Sequence, residues 1–274
     1  MNLKGFSSKY LPLLEEFLSR KVEGEDTISR AMRYALFPGG KRFRPLLVMA
    51  STYAVGGKPE NSIEVAGAIE LIHNFTLIHD DLPSMDNDDF RRGKPTLHRI
   101  FGEGMAVLAG DALLNLAYQT IAESRLSSEK KEKILQVITR SLGKEGVMGG
   151  QAMDISMGKE ERNLEKLRKI YLLKTSSLIQ ASVTCGAIVG EAGEREMNCL
   201  EEYSRNLGLA FQIMDDVREA KEGKKPPYPD YPALLGIEEA EKEGRKLVGE
   251  AIRAIAPLGD KKNPLVELAN LVID

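Results

Sequence analysis

Apolar residues recur at helical spacing through most of the chain, as at Leu11, Leu14 and Leu18 and again at Leu164, Leu167, Tyr171 and Leu178. Positions three and four apart share one face of a helix, so each run predicts an amphipathic helix with a buried stripe. Runs that alternate apolar and polar residues around a tight turn are not evident, which predicts an all-α fold. Glycine and proline punctuate the runs at Pro38-Gly39-Gly40, Gly56-Gly57-Lys58-Pro59, Gly102 and Gly104, Gly143, Gly149-Gly150 and the stretch 226–232. These breaks delimit about ten helices. With no low-complexity linker and no repeat period between them, residues 1–274 are expected to form one domain, a large helical bundle.

One predicted helix, 60–82, is apolar almost all round: Ile63, Val65, Ala66, Ala68, Ile69, Leu71, Ile72, Phe75, Leu77 and Ile78. A helix with no polar face belongs at the centre of a bundle. Pro83 has no amide hydrogen to continue the ladder, so this helix should stop near Leu82 and present Asp80 and Asp81 at its carboxyl-terminal rim.

Composition narrows the setting. Of 274 residues 42% are hydrophobic and 29% charged, which suits a soluble globular protein with a large core. A net charge of −3 and a pI near 5.8 leave no global basic field for nucleic acid or an anionic membrane, so any anion must be held by local basic clusters. Cys185 and Cys199 are too few for a disulfide framework, and a reducing cytoplasm is the expected compartment. Residues 1–10 do not form a secretory signal, and the apolar stretch 176–189 is short and interrupted by polar residues, so no membrane insertion is expected.

The chemistry gathers at the helix end. Asp80, Asp81, Asp86, Asp88 and Asp89 crowd five carboxylates into ten residues, next to the negative end of a helix dipole. Alone, such a run is more often a solvated acidic turn. Arg91, Arg92 and Lys94 follow at once, however, so groups suited to a hard divalent cation and groups suited to an anion converge, as a diphosphate with Mg²⁺ requires. A second acidic cluster, Asp215, Asp216 and Glu219, ends an amphipathic stretch that starts near Leu200, with Asp215, Glu219 and Phe211 at helical spacing. Standing alone it too would be a surface helix end. Lys174 interrupts the apolar run 170–179, where a lysine is either paired, for instance with a phosphate, or snorkels to the surface. His73 lies two turns before Asp80 on roughly the same face; it is either a hydrogen-bonded core histidine or a donor to a diphosphate oxygen.

Taken together, these segments resemble the trans-prenyl diphosphate synthases, in particular bacterial farnesyl and geranylgeranyl diphosphate synthases. The resemblance rests on Gly40-Lys41-Arg42-Phe43-Arg44-Pro45, Leu77-Ile78-His79-Asp80-Asp81 through Asp86, Arg91-Arg92-Gly93-Lys94-Pro95-Thr96, Ala109-Gly110-Asp111-Ala112-Leu113-Leu114, Gly149-Gly150-Gln151, Lys174-Thr175, and Phe211-Gln212 through Asp216. It implies the all-α isoprenoid synthase bundle with a central cavity, usually as a homodimer. It implies that Lys41, Arg44, His73 and Arg92 bind isopentenyl diphosphate, and that Arg91, Lys174, Thr175 and Gln212 bind the allylic diphosphate. Asp80, Asp81 and Asp86 would ligate two Mg²⁺ ions, and Asp215 a third with Asp216 or Glu219. The allylic carbon would ionise as its diphosphate departs, the isopentenyl double bond would attack the cation, and a proton would then be lost. Phe75 and Thr76, just ahead of the aspartates, occupy the positions that limit chain length; the bulky Phe75 and the longer aspartate motif imply a C15 product, with C20 as its competitor.

The sequence departs from the family pattern after Asp216. Glu219 stands where a third aspartate is usual, and the following loop is about ten residues shorter than is common, so Lys224 or Lys225 must serve if a loop lysine reaches the substrate. Residues 270–274 carry no basic group, unlike the basic tail of many relatives. Three other readings compete. A regulatory subunit of another synthase would be expected to lose the first aspartate motif, which is whole here. A metal phosphohydrolase needs more histidines than His73, His79 and His98. A terpene cyclase would lack the Lys41, Arg44 and Arg92 set.

Overall fold

The computed structural model describes residues 1–157, 162–224 and 229–274, and among them nearly all regular structure is helical. The chain opens with α1 (Leu3–Lys21), α2 (Thr27–Leu36) and α3 (Phe43–Ala54). A 3₁₀ turn, Pro59–Ser62, leads into α4 (Ile63–Asp80), and a short hairpin of β1 (Phe90–Arg91) and β2 (Lys94–Pro95) follows. Then come α5 (Leu97–Phe101), α6 (Glu103–Glu123), α7 (Ser128–Leu142), α8 (Val147–Ile155) and α9 (Leu164–Tyr171). A π-helical turn, Leu172–Ser176, joins α9 to α10 (Ser177–Val189). The last elements are α11 (Glu194–Lys221), α12 (Tyr231–Leu235), α13 (Ile237–Ala254), a 3₁₀ stretch Ala256–Lys262, and α14 (Asn263–Asn270). Among the described residues the helices outnumber the expected ten or so, in part because α5 and α12 span five residues each, too short to repeat a periodic signal.

The apolar helix is central, as its composition predicts. In α4, Val65, Ala66, Ala68, Ile69, Leu71 and Ile72 are wholly buried, against α3 and α6 above all. Each large aliphatic side chain removed from water in this way stabilises the fold by roughly 1.5–3 kcal/mol. The helix is shorter than predicted at both ends, with the 3₁₀ turn before Ile63 and Asp81 as its cap. Beyond it the Asp86 amide donates to the Asp80 carbonyl at 2.8 Å, folding the acidic turn back on the helix end.

Two expectations need correction. A tight hairpin does exist: Arg91 faces Lys94, and the central residues Arg92 and Gly93 both have positive φ, 53° and 74°, as a type I′ turn requires. Its two-residue strands are too short to show alternation. Two helical stretches, 103–123 and 164–189, are also long and apolar enough to cross a membrane by composition. Packing accounts for part of that character, since α6 lies on α4 and α10 on α3, with 39% of the first apolar window and 56% of the second buried inside the fold.

Candidate functional site

Three connected compartments open between α3, α4, α8, the π turn and α11. The central one, about 370 Å³, is lined by Arg44, His73, Thr76, Leu77, Asp80, Arg91, Arg92, Lys174, Thr175, Gln212 and Asp215, with Val147, Leu178 and Phe211 as apolar wall. Towards α14 it shares Arg44, His73, Arg92 and Phe211 with a basic compartment of about 290 Å³ that adds Lys41 and Arg218. On the other side it shares Lys174, Thr175 and Gln212 with an acidic one of about 580 Å³ that holds Asp86, Asp88, Asp154, Asp216, Glu219 and Asp230.

On the basic side, Arg42 has φ 51° and starts α3, which turns its side chain inward. There it meets Glu70 at 2.7 Å and Glu15 at 2.7 Å. Burial opposes the charge on Arg42, but the two carboxylates outweigh it and raise its pKa. Arg44 has no such partner; burial lowers its pKa to about 10, still charged at neutral pH, and its Nε is buried without a hydrogen bond. His73 Nε2 lies 3.4 Å from Arg44 Nη1. Desolvation, with Arg44 and Arg92 close by, drives the His73 pKa well below the usual range, so the ring is neutral and can accept from Arg44.

Lys174 and Thr175 sit in the π turn, whose extra residue rotates them into the cavity mouth. Gly150 makes room: a Cβ there would lie 2.3 Å from the Lys174 amide nitrogen. Lys174 pairs with Asp154 at 2.6 Å, an acidic residue that sequence reasoning missed although it lies one turn after Gln151 on α8. Thr175 donates to Gln212 Oε1 at 2.8 Å, and Gln212 Nε2 donates to Asp216 at 3.0 Å.

The carboxylates fall into two groups. Asp80, Asp86 and Asp215 line the cavities. Burial raises Asp80 to about 6, with Asp86 and Asp81 adding to the rise against the pull of Lys174, and partial burial raises Asp86 as well. Asp81 and Asp216 are buried and already hydrogen bonded, although Asp216 also borders the acidic compartment. Asp81 accepts from Arg91 Nε at 2.9 Å, and Arg91 also reaches Asp88 at 2.9 Å. Asp216 accepts from the Tyr171 hydroxyl as well as from Gln212, and burial lifts its pKa to about 7. Glu219 is exposed and stands 3.5 Å from Lys224; Lys225 lies outside the described residues.

Of the two chain-length positions, Thr76 lines the central cavity. Phe75 does not line it; it is buried, edge-on to His79 with ring centroids 4.9 Å apart. His79 in turn occupies the space a Cβ on Gly110 of α6 would need, 2.2 Å away.

A family model described as polyprenyl synthetase matches residues 25–226. The chain is 40% identical to a geranylgeranyl diphosphate synthase of Cyanophora paradoxa, over 100% of this chain and 96% of that protein. It is 42% identical to a farnesyl diphosphate synthase of Geobacillus stearothermophilus, over 86% of each. Among solved structures, an FPP/GFPP synthase from Zymomonas mobilis superposes with a TM-score of 0.92 at 35% identity, covering 99% of both chains.

Proposed function

Because this chain belongs to the polyprenyl synthetase family and is a trans-prenyltransferase acting on isopentenyl and allylic diphosphates, we propose that it makes farnesyl diphosphate. The observation that carries this reading is the bulky Phe75 ring, buried edge-on to His79 and next in sequence to Thr76 of the cavity wall. Relatives of both the C15 and the C20 type match equally well, so product length rests on that wall.

The roles follow the compartments. Lys41, Arg44, His73 and Arg92 hold isopentenyl diphosphate in the basic compartment, where the free Arg44 Nε and the cationic surplus suit an anion. Arg91, Lys174, Thr175 and Gln212 hold the allylic diphosphate. Asp80, Asp86 and Asp215, with Glu219, would hold Mg²⁺, three ions in all; carboxylate oxygens suit this hard ion, and a cation would relieve the repulsion by which Asp86 adds to the rise that burial causes in the pKa of Asp80. When bound, the ions neutralise charge on the departing diphosphate and so favour ionisation. Asp81 and Asp216 act one step back, fixing Arg91 and Gln212. Leu77, Leu178 and Phe211 keep water from the allylic cation.

We place this single-domain enzyme in the cytoplasm, where its free Cys185 and Cys199 stay reduced. We take it to be a homodimer, because α5 and α6 expose Ile100 (52%), Val107 (40%) and Leu108 (54%). Sedimentation of the purified protein checks this, and a monomer at assay concentrations contradicts it.

The test of function is direct. Pure protein is incubated with Mg²⁺, isopentenyl diphosphate and dimethylallyl or geranyl diphosphate, and products are sorted by chain length. Wild type is expected to stop at C15 and Phe75→Ala to extend to C20 or beyond. Failure to condense any pair refutes the assignment, and an unchanged product from Phe75→Ala moves the stop to another wall.

A further inference from the structure

Arg218 lies between the acidic residues of the second cluster and was given no role by sequence reasoning. It is one turn beyond Asp215 on α11, with Nη2 3.4 Å from Asp215 Oδ1 and Nε donating to the Met214 carbonyl at 3.2 Å. The two members of this pair face different compartments: Asp215 lines the central cavity, and Arg218 lines the basic one with Lys41, Arg44 and Arg92. The wall of this compartment also carries Glu70 and His73 from α4 and an apolar part from Phe211, Leu268, Leu271 and Val272.

The other basic groups are placed differently. Arg42 is occupied by Glu15 and Glu70, Arg92 is hydrogen bonded to Asn74 at 3.4 Å, and Lys41 and Arg44 approach from α3 and its start. Arg218 is the guanidinium that faces this compartment from α11, and at 41% exposure it has room to move. Its planar fork matches phosphate oxygens. Its partner Asp215 belongs to the carboxylates that would hold Mg²⁺, and a cation there competes with Arg218 for the same oxygens.

We propose that Arg218 is a further ligand for the diphosphate of isopentenyl diphosphate, and that its ion pair with Asp215 couples the two halves of the site. While Asp215 holds Arg218, the basic compartment is short of one cation. When the charge of Asp215 is taken up on the central side, Arg218 turns to the second substrate. The pair is half-exposed, so the coupling is no more than about fivefold, and it is reciprocal. This inference rests on the assignment of the basic compartment to isopentenyl diphosphate.

Calorimetric titration of metal-free protein with isopentenyl diphosphate tests both parts without turnover. Arg218→Gln is expected to weaken binding about tenfold, as loss of one charge-assisted contact does, and Arg218→Lys to weaken it less. Asp215→Asn, which frees Arg218 without any metal, is expected to tighten binding about two- to fivefold. That gain should vanish in the Asp215→Asn/Arg218→Gln double variant. Wild-type affinity in Arg218→Gln overturns the ligand role, and a gain that survives in the double variant overturns the coupling. Lys41→Gln separates the underlying assignment: if it weakens binding while Arg218→Gln does not, only the proposal fails, and if neither does, the assignment of the compartment fails with it.

Discussion

Asp80→Asn is expected to lower kcat/KM by on the order of 10³-fold while making the metal-free protein more stable at neutral pH. Both effects have one cause. Asp80 stands at the carboxyl end of α4, desolvated and beside Asp86 and Asp81, which together lift its pKa to about 6. A folded-state pKa above the unfolded value near 3.8 means that ionising this group works against the fold. The penalty is absent below about pH 4, grows as pH rises, and is complete above about pH 6. Thermal melts of wild type and Asp80→Asn should therefore differ most at pH 8 and converge as pH falls towards 4. Mg²⁺ should raise the melting temperature of wild type and have much less effect on the variant. Activity within tenfold of wild type, or a variant less stable at pH 8, contradicts this account of the acidic turn.

Glu70→Gln is expected to destabilise the protein by about 3 kcal/mol, the low end of what loss of one partner of a buried ion pair costs. Glu70 is 1% exposed on the central helix, 2.7 Å from Arg42 and 3.2 Å from the Asn74 amide. Its charge also acts on Arg44 and Arg92, so it is the buried counter-ion of the basic compartment. Glu15 still holds Arg42 in the variant, which keeps the loss from being larger. Urea denaturation measures it, with Glu70→Asp as the charge-preserving comparison. A change below about 1 kcal/mol would mean that the arginines repel one another little and that Glu70 acts mainly through packing.

These two residues also mark what could be read before the fold was known. The crowded aspartates were visible because residue type and spacing along one helix end are local properties, and so were Lys41, Arg44, Arg91 and Arg92. Glu70 was hidden in an otherwise apolar run, and its role depends on Arg42 reaching it from another helix. Asp154 was hidden in the same way, since only the close approach of α8 at Gly150 brings it to Lys174.

The helical fold, the central place of α4, the family and the two acidic clusters were legible in the sequence, because periodicity, proline stops and motif spacing act within a few residues of one another; the second cluster lies inside α11, which runs from Glu194 to Lys221, rather than at its end. Which compartment each carboxylate faces was settled by the packing of the helices. Adjacent helix positions point about 100° apart, so Asp215 turns to the central compartment while Asp216 borders the acidic one, held there by Tyr171 and Gln212. The packing likewise put Thr76 on the wall, left Phe75 buried off it, and stretched the Asp215–Arg218 pair across two compartments. Those outcomes depend on how helices distant in sequence are rotated against one another, which no local pattern encodes.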